Sequence, residues 1–315
     1  MASDQAFRLP PTHLCILFDA VSAFPAIPSS STTKDWSNTT AVSNALKLLP
    51  KSEQEKSLRF YKPKDAALSL GSSLLKHYAI SHLLQIPWTS TPITAAREVS
   101  NGKPFYEPGG CVFNVSHHGD VVVLLASTVP GVNVGVDVVK VDVEKDSEAV
   151  KREGSFNKWL KMFEEVLSEK EMWRIAHYDE GVVEKKEKLR RQLRAFYAHW
   201  ALKEAYIKYT SDALMADWLK LLEFTKVIIP ESVSSVDSAL SEVGADNRLW
   251  KLGEVTRVET CLRGQNVDSV RMEIQALGDD YMVATAISVV DGDKPPPFEE
   301  VKMDEILRIA IEWTV

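Results

Sequence analysis

Three short segments of the 315-residue chain carry side chains able to handle phosphate. Phe113-Asn-Val-Ser116-His117-His118-Gly119-Asp120 offers a hydroxyl, two imidazoles and a flexible backbone at an expected hairpin tip, the groups that gather around phosphate oxygens. Taken alone, that segment also reads as a plain solvated turn. In Gly135-Val-Asp137-Val a carboxylate interrupts an apolar strand. Once buried it needs a cation or several donors to offset its desolvation, the alternative being a strand-end acid that faces water. Trp200-Ala-Leu-Lys203-Glu204-Ala-Tyr206-Ile-Lys208 reads as helix. It sets Trp200, Glu204 and Lys208 in one column, with neighbours ~6 Å apart along the axis. A single Glu–Lys pair at this spacing is ordinarily surface support worth ~0.3 kcal/mol. A column that starts at a tryptophan points instead to partial burial, where a carboxylate can hold a hard cation and an ammonium can reach a phosphate. Brought together, the Ser/His turn, the strand Asp and the helix Glu/Lys make a site for metal-assisted handling of a pyrophosphate. The sequence has no Walker A, G-x-G-x-x-G, H-E-x-x-H or G-x-S-x-G motif, which removes the commonest readable nucleotide, zinc and hydrolase sites.

The elements that must position these residues follow from pattern. Leu14 to Phe18 is a short apolar run expected as a buried strand, and Pro25 to Thr40 reads as loop. Ser52 followed by Glu55 reads as a capping box that starts a helix, and a longer helix is expected over about Asp65 to Leu84. Gly102-Lys103-Pro104 falls in a loop, ahead of strands Cys111–Ser116 and Val121–Ser127 joined across His117 to Asp120. After a turn at Pro130 to Asn133 comes the strand that holds Asp137. A second capping box, Ser168 to Glu171, and a helix over about Arg194 to Tyr209 follow, with a charged stretch over Asp179 to Arg194 between them that reads as a solvated helical face. A hairpin turns at Gly278-Asp-Asp280, and Pro295 to Pro297 links it to a C-terminal helix over about Glu299 to Trp313. Strand, capped helix, long helix and further strands thus occur twice, which predicts two similar α+β halves packed face to face.

Composition bounds the partners. With 45% apolar and 26% charged residues the chain can bury a real core, and its net charge of −7 argues against surfaces built for nucleic acid or anionic lipid. Three cysteines at long spacing suggest neither a disulfide framework nor a zinc ribbon. No leader or membrane-spanning pattern is read, so a cytoplasmic protein is expected.

The order G-K-P (102–104), F-N-V-S-H (113–117), V-G-V-D (134–137) and W-A-L-K-E-A-Y-I-K (200–208) resembles the surfactin-type 4′-phosphopantetheinyl transferases, over about Leu49 to Val290. Ser-His-x-Gly-Asp and Trp-Ala-Leu-Lys-Glu look more like the broad-specificity eukaryotic members, fungal ones included, than like bacterial ones. The resemblance implies an α+β fold of two pseudo-duplicated halves, residues 1–132 and 133–315, with the active site at their interface. It further implies that Lys56 and Lys103 bind coenzyme A, that Ser116 and His117 meet its phosphates, and that Asp137 and Glu204 hold Mg²⁺. Lys208 then contacts the transferring phosphate or the leaving group. The implied reaction is attack by a serine of an apo carrier protein (acyl, peptidyl or aminoadipate-reductase type) on the β-phosphate of coenzyme A, releasing 3′,5′-ADP. The nucleophile is the partner's, so Glu204 or a metal-bound water beside it is the candidate base. A monomer is expected.

Val139 is a departure, because bacterial members commonly carry an acid two residues after the metal-binding Asp, although eukaryotic-type members often lack it too. Water rather than His118 is expected in that place, since nitrogen suits Mg²⁺ poorly. Two other readings use the same residues: a non-catalytic coenzyme A-binding or carrier-docking module, and a metal-dependent phosphoesterase.

Overall fold

The computed structural model describes residues 11–26, 32–94, 103–178, 181–212, 216–233, 250–290 and 294–312. In the first half, strand β1 (His13–Asp19) is followed by short helices at Thr33–Ser37, Thr40–Lys47 and Lys51–Leu58 and by the long helix α1 (Pro63–Leu84). The hairpin β2 (Val112–His118) and β3 (Val121–Ser127) completes it. In the second half come β4 (Val134–Lys140), α2 (Val143–Glu153), a short helix Phe156–Lys161, α3 (Glu169–Ala176) and the long helix α4 (Lys185–Thr210). Strands β5 (Leu222–Thr225), β6 (Thr256–Leu262), β7 (Val270–Leu277) and β8 (Tyr281–Ser288) follow. The chain then adds β9 (Glu299–Glu300) and α5 (Met303–Glu312).

One sheet has the order β9-β1-β3-β2 and the other β4-β8-β7-β6-β5. Period-two alternation explains how they stack. Cys15 and Leu17 of β1, with Val121, Val123 and Leu125 of β3, share one core with Val134, Val136 and Val138 of β4 and Val283 and Ile287 of β8. The intervening residues point outward. Ile16, Phe18, Val122 and Leu124 meet α1, while Met272, Ile274, Met282 and Ala284 meet α4. The layers are therefore helix, sheet, sheet, helix, the α+β arrangement of two similar halves that the repeat predicts.

Several local expectations are corrected. The first capping box does not form: Pro50 occupies the cap, no side chain caps the helix, and Ser52 lies inside it. The second does form, with Ser168 Oγ accepting from Glu171 N and the Glu171 carboxylate accepting from Ser168 N. Strand β2 runs on through His117 and His118, so the hairpin turns on Gly119 and Asp120 alone, Gly119 with φ +65°. The segment read as loop contains the helix Thr33–Ser37, capped by Thr32 and anchored by the fully buried Trp36. The charged stretch is helical as expected from Lys185 on, where it forms the first turns of α4. Glu299 and Glu300 form a strand rather than the start of the last helix. Gly102, Asp179, Glu180 and Trp313 lie outside the described residues.

Candidate active site

The two halves meet where β2 runs beside β4 and α4 crosses β4. Alternation sorts the residues of β4. Val134, Val136 and Val138 enter the core between the sheets, whereas Gly135, Asp137 and Val139 face α4. A Cβ at Gly135 would overlap the carbonyl oxygen of Ala205 and crowd the backbone of Tyr209, so only glycine lets the helix lie this close. That approach brings Lys208 onto Asp137, and a displacement of about 1 Å in such a site can cost about 100-fold in rate. Gly135→Ala is therefore expected to lower kcat by about that factor while circular dichroism still reports a folded protein. A rate within threefold of the parent's would show that the close approach does not set the site.

At the centre, Ser116 Oγ donates to Asp137 Oδ1 at 2.8 Å. The Lys208 ammonium donates to that same oxygen at 2.6 Å and to Ser116 Oγ at 2.9 Å. Ser116 and Asp137 are buried, and Glu204 stands half-buried one turn before Lys208. Burial raises the Glu204 pKa, the Asp137 charge raises it further and Lys208 partly opposes both. These groups border a cleft of about 370 Å³ together with Trp200, Tyr197, Val139, His117 and His118. The strand serine, the strand acid and the helix Glu/Lys column, far apart in sequence, thus converge on one surface.

His117 has its ring 3.5 Å from Ser72 Oγ of α1, and its pKa is lowered by burial, then by Lys208 and His118. His118 turns the other way: its Nδ1 accepts the backbone N–H of Lys140 at 3.0 Å. Burial lowers the pKa of this ring too. A neutral imidazole that accepts at Nδ1 carries its proton on Nε2 and has no lone pair there for a metal. Val139 is buried against the second core, two residues from Asp137 on the same face.

The two lysines expected at coenzyme A lie apart from this cluster. Lys103 directs its amine to the carbonyls of Val134 (3.0 Å) and Lys208 (2.9 Å), at the start of β4 and the end of α4. Burial brings its pKa down to about 8. Lys56 is exposed on the helix Lys51–Leu58 and depresses the pKa of Lys76, a buried lysine of α1 that desolvation already lowers. Sequence reasoning missed Lys76, although a lysine amid the apolar positions of a long helix is itself a signal. It also missed Lys64, Lys140 and Lys145, which border a neighbouring cavity of about 400 Å³ that shares His117, His118 and Tyr197 with the cleft.

The chain compares closely with known proteins. A family model described as 4′-phosphopantetheinyl transferase, N-terminal, matches residues 34–129, and one described as 4′-phosphopantetheinyl transferase superfamily matches residues 133–257. The 4′-phosphopantetheinyl transferase 1 of Fusarium mangiferae is 34% identical over 300 residues, covering 92% of this chain and 93% of its own. A 4′-phosphopantetheinyl transferase of Emericella nidulans is 32% identical over 283 residues, 81% of this chain and 79% of its own. The human L-aminoadipate-semialdehyde dehydrogenase-phosphopantetheinyl transferase is 24% identical over 258 residues, 79% and 70% of the two chains. Identity of this order along nearly the whole length, with the first model ending and the second beginning at the turn before β4, gives the fold and the cleft their meaning: the chain belongs to the 4′-phosphopantetheinyl transferase superfamily.

Proposed function

We propose that the cleft between the halves is where this 4′-phosphopantetheinyl transferase moves phosphopantetheine from coenzyme A to a serine of an apo carrier protein, releasing 3′,5′-ADP. The observation that carries this reading is the convergence of Lys208, Ser116 and Asp137 within 2.6–2.9 Å of one another, beside Glu204. Phosphoryl transfer asks a protein chiefly for positioning and for neutralisation of developing charge. The ammonium and the hydroxyl supply both directly, and the two carboxylates would do so through a cation held between them.

The donor set fits magnesium. Asp137 and Glu204 are hard oxygen donors, and the Asp137 charge raises the Glu204 pKa, a strain that a cation shared between them relieves. Among the described residues no group of three or more potential ligating side chains exists, so these two carboxylates are the protein ligands we propose. Bound there, Mg²⁺ would spread the charge of the pyrophosphate. Lys208 pairs with the transferring phosphate or the departing ADP, Ser116 and His117 orient phosphate oxygens, and the Glu204 carboxylate receives the proton of the carrier serine. A carboxylate whose pKa burial raises is better suited to that step than an ordinary surface acid.

We propose carriers of the acyl, peptidyl and aminoadipate-reductase types, the last supported by the mouse and human relatives named L-aminoadipate-semialdehyde dehydrogenase-phosphopantetheinyl transferase. Lys64, Lys140 and Lys145 lie beside the cleft, the first two sharing Asp120 at 2.8 and 3.5 Å, so Lys145 is the cation we propose for contact with an acidic carrier. All three cysteines are free, as in a reducing compartment, and no helix among the described residues is long and apolar enough to cross a membrane. The free cysteines are the ground on which we propose a cytosolic protein; a monomer remains part of the proposal. The decisive experiment incubates the protein with coenzyme A, Mg²⁺ and an apo carrier, then weighs the carrier. A carrier heavier by one phosphopantetheine is expected. Coenzyme A bound with the carrier unchanged would leave a docking module, and coenzyme A hydrolysed without carrier would leave a phosphoesterase.

Lys103 adds a pH test. With a pKa near 8 its ammonium is lost as pH rises through that value. If this charge serves coenzyme A, KM for coenzyme A rises on the alkaline side of pH 8 and falls back toward its neutral value as pH is lowered. Lys103→Arg, which stays charged, should flatten that limb. A KM independent of pH from 7 to about 9 in the parent would remove Lys103 from the binding role.

A further inference from the structure

The seam between the two sheets is held by side chains on one strand and backbone on the other. One edge of β4 pairs with β8 in an antiparallel ladder. On the other edge, the N–H groups of Val136, Val138 and Lys140 point toward β2. Each is met by a side chain: Asn114 Oδ1 accepts from Val136 at 2.8 Å, Ser116 Oγ from Val138 at 3.5 Å, and His118 Nδ1 from Lys140 at 3.0 Å. Acceptors at i, i+2 and i+4 of β2 match donors at i, i+2 and i+4 of β4, the common period of two extended strands.

The three are not equivalent. Ser116 already donates to Asp137 and accepts from Lys208, and its backbone contact is the longest of the set. The shorter outer contacts, from Asn114 and His118, bracket Asp137 on β4. A strand slipping by one residue would turn Asp137 to the opposite face. The seam has two outer side chains to resist that movement.

We propose that Asn114 and His118 are positioning residues, which act through the backbone of β4 to hold the Asp137 carboxylate against Ser116 and Lys208. This rests on the reading of the cleft as the transferase site. Neither residue need touch coenzyme A. His118 serves through Nδ1, the ring atom that accepts the Lys140 N–H, while the backbone amides it and Asn114 hold belong to the other half of the molecule. The half that supplies Ser116 thereby sets the register of the half that supplies Asp137, Glu204 and Lys208.

The test exploits amide isosteres of histidine. In His118→Asn the carboxamide oxygen can take the place of Nδ1, whereas in His118→Gln the amide reaches the place of Nε2 and the Nδ1 acceptor is lost. His118 is exposed, so both variants should fold; Asn114→Ala is the buried counterpart. Two readouts are taken: hydrogen exchange of the Val136 and Lys140 amides, which needs no activity, and steady-state transfer to a carrier. His118→Gln is expected to speed exchange at Lys140 about tenfold and to lower kcat about tenfold, with KM for coenzyme A within about threefold. His118→Asn should rescue both readouts to within about threefold of the parent. Asn114→Ala should do to Val136 what His118→Gln does to Lys140.

A His118→Gln enzyme that keeps its kcat while His118→Asn loses it would overturn the proposal and assign the Nε2 end to the ligand. Faster exchange with unchanged kcat would reduce the seam to a structural joint. Should the parent transfer nothing to any carrier, the transferase reading fails separately, and unchanged amide exchange in both His118→Gln and Asn114→Ala would still overturn the clamp.

Discussion

Glu204→Gln is expected to lower transfer to an apo carrier by about a thousandfold or more at saturating Mg²⁺, because one substitution removes both a hard anionic ligand and the carboxylate that takes the serine proton. The amide has the same shape, and the half-buried side chain already carries the cost of a desolvated charge beside Asp137. Thermal unfolding should accordingly stay at the parental midpoint or rise slightly. Stopped-assay mass spectrometry of the carrier, with a melting curve on the same preparation, reads both quantities. Transfer within tenfold of the parent would take Glu204 out of the mechanism, and a collapse of the melting midpoint would recast it as a residue of the core.

Its neighbour should behave in the opposite way. Lys203 is 1% exposed, and its ammonium donates to Glu171 Oε2 at 3.0 Å, to the carbonyl of Leu219 at 3.0 Å and to that of Leu222. Glu171 is fully buried and also accepts the backbone N–H groups of Phe224 and Ser168. Removing the cation leaves a carboxylate and two carbonyls without it in a dry interior. Lys203→Met is thus expected to cost about 3–5 kcal/mol of stability. Urea denaturation measures this directly. Below the transition, the folded fraction should turn over at the parental rate, since no atom of Lys203 reaches the cleft. Loss of turnover at undiminished stability would instead assign Lys203 to the substrate.

This pair shows how much of the site was legible. The motif that carries Glu204 and Lys208 also carries Lys203, and motif likeness alone does not separate a side chain that serves chemistry from one that serves packing. Periodicity can. Lys203 lies in one helical stripe with Phe196, His199 and Tyr206, all buried, whereas Glu204 follows Trp200, which is only partly so. The β7–β8 hairpin was readable because alternation registers a sheet with two different faces, and α1 and α4 because their apolar positions are dense, whereas β5 and β6 were not read at all. Ser52 misled because Ser-x-x-Glu arises readily in any polar first turn. The fixed φ of Pro50 starts that helix at Lys51, placing Ser52 inside, where its hydroxyl cannot cap. The seam was beyond reach for a deeper reason. Asn114 and His118 are ordinary polar residues until β4 is laid beside them, and that juxtaposition comes from the stacking of two halves rather than from any local pattern.

The return of the C-terminal segment to the first sheet has a consequence for how the protein is made. Strand β1 is flanked by β9, with Ile16 opposite Glu299 and Leu17 opposite Glu300, and Val301 N–H donates to the Leu17 carbonyl at 2.9 Å. Ile306, Ile309 and Ala310 of α5 fill the first core, and Tyr78 of α1 donates to Glu305 at 2.7 Å across 227 residues of chain. During synthesis the earliest strand therefore emerges long before its outer neighbour exists. Until that neighbour arrives, the nascent first half carries an open β edge and an unfilled apolar face, the features that invite chaperones or misassociation. The second sheet has all its strands by Ser288, but its inner face is covered only when the first sheet packs on it. A ribosome-bound chain should thus stay protease-sensitive in its earlier half until residues 299–312 have emerged.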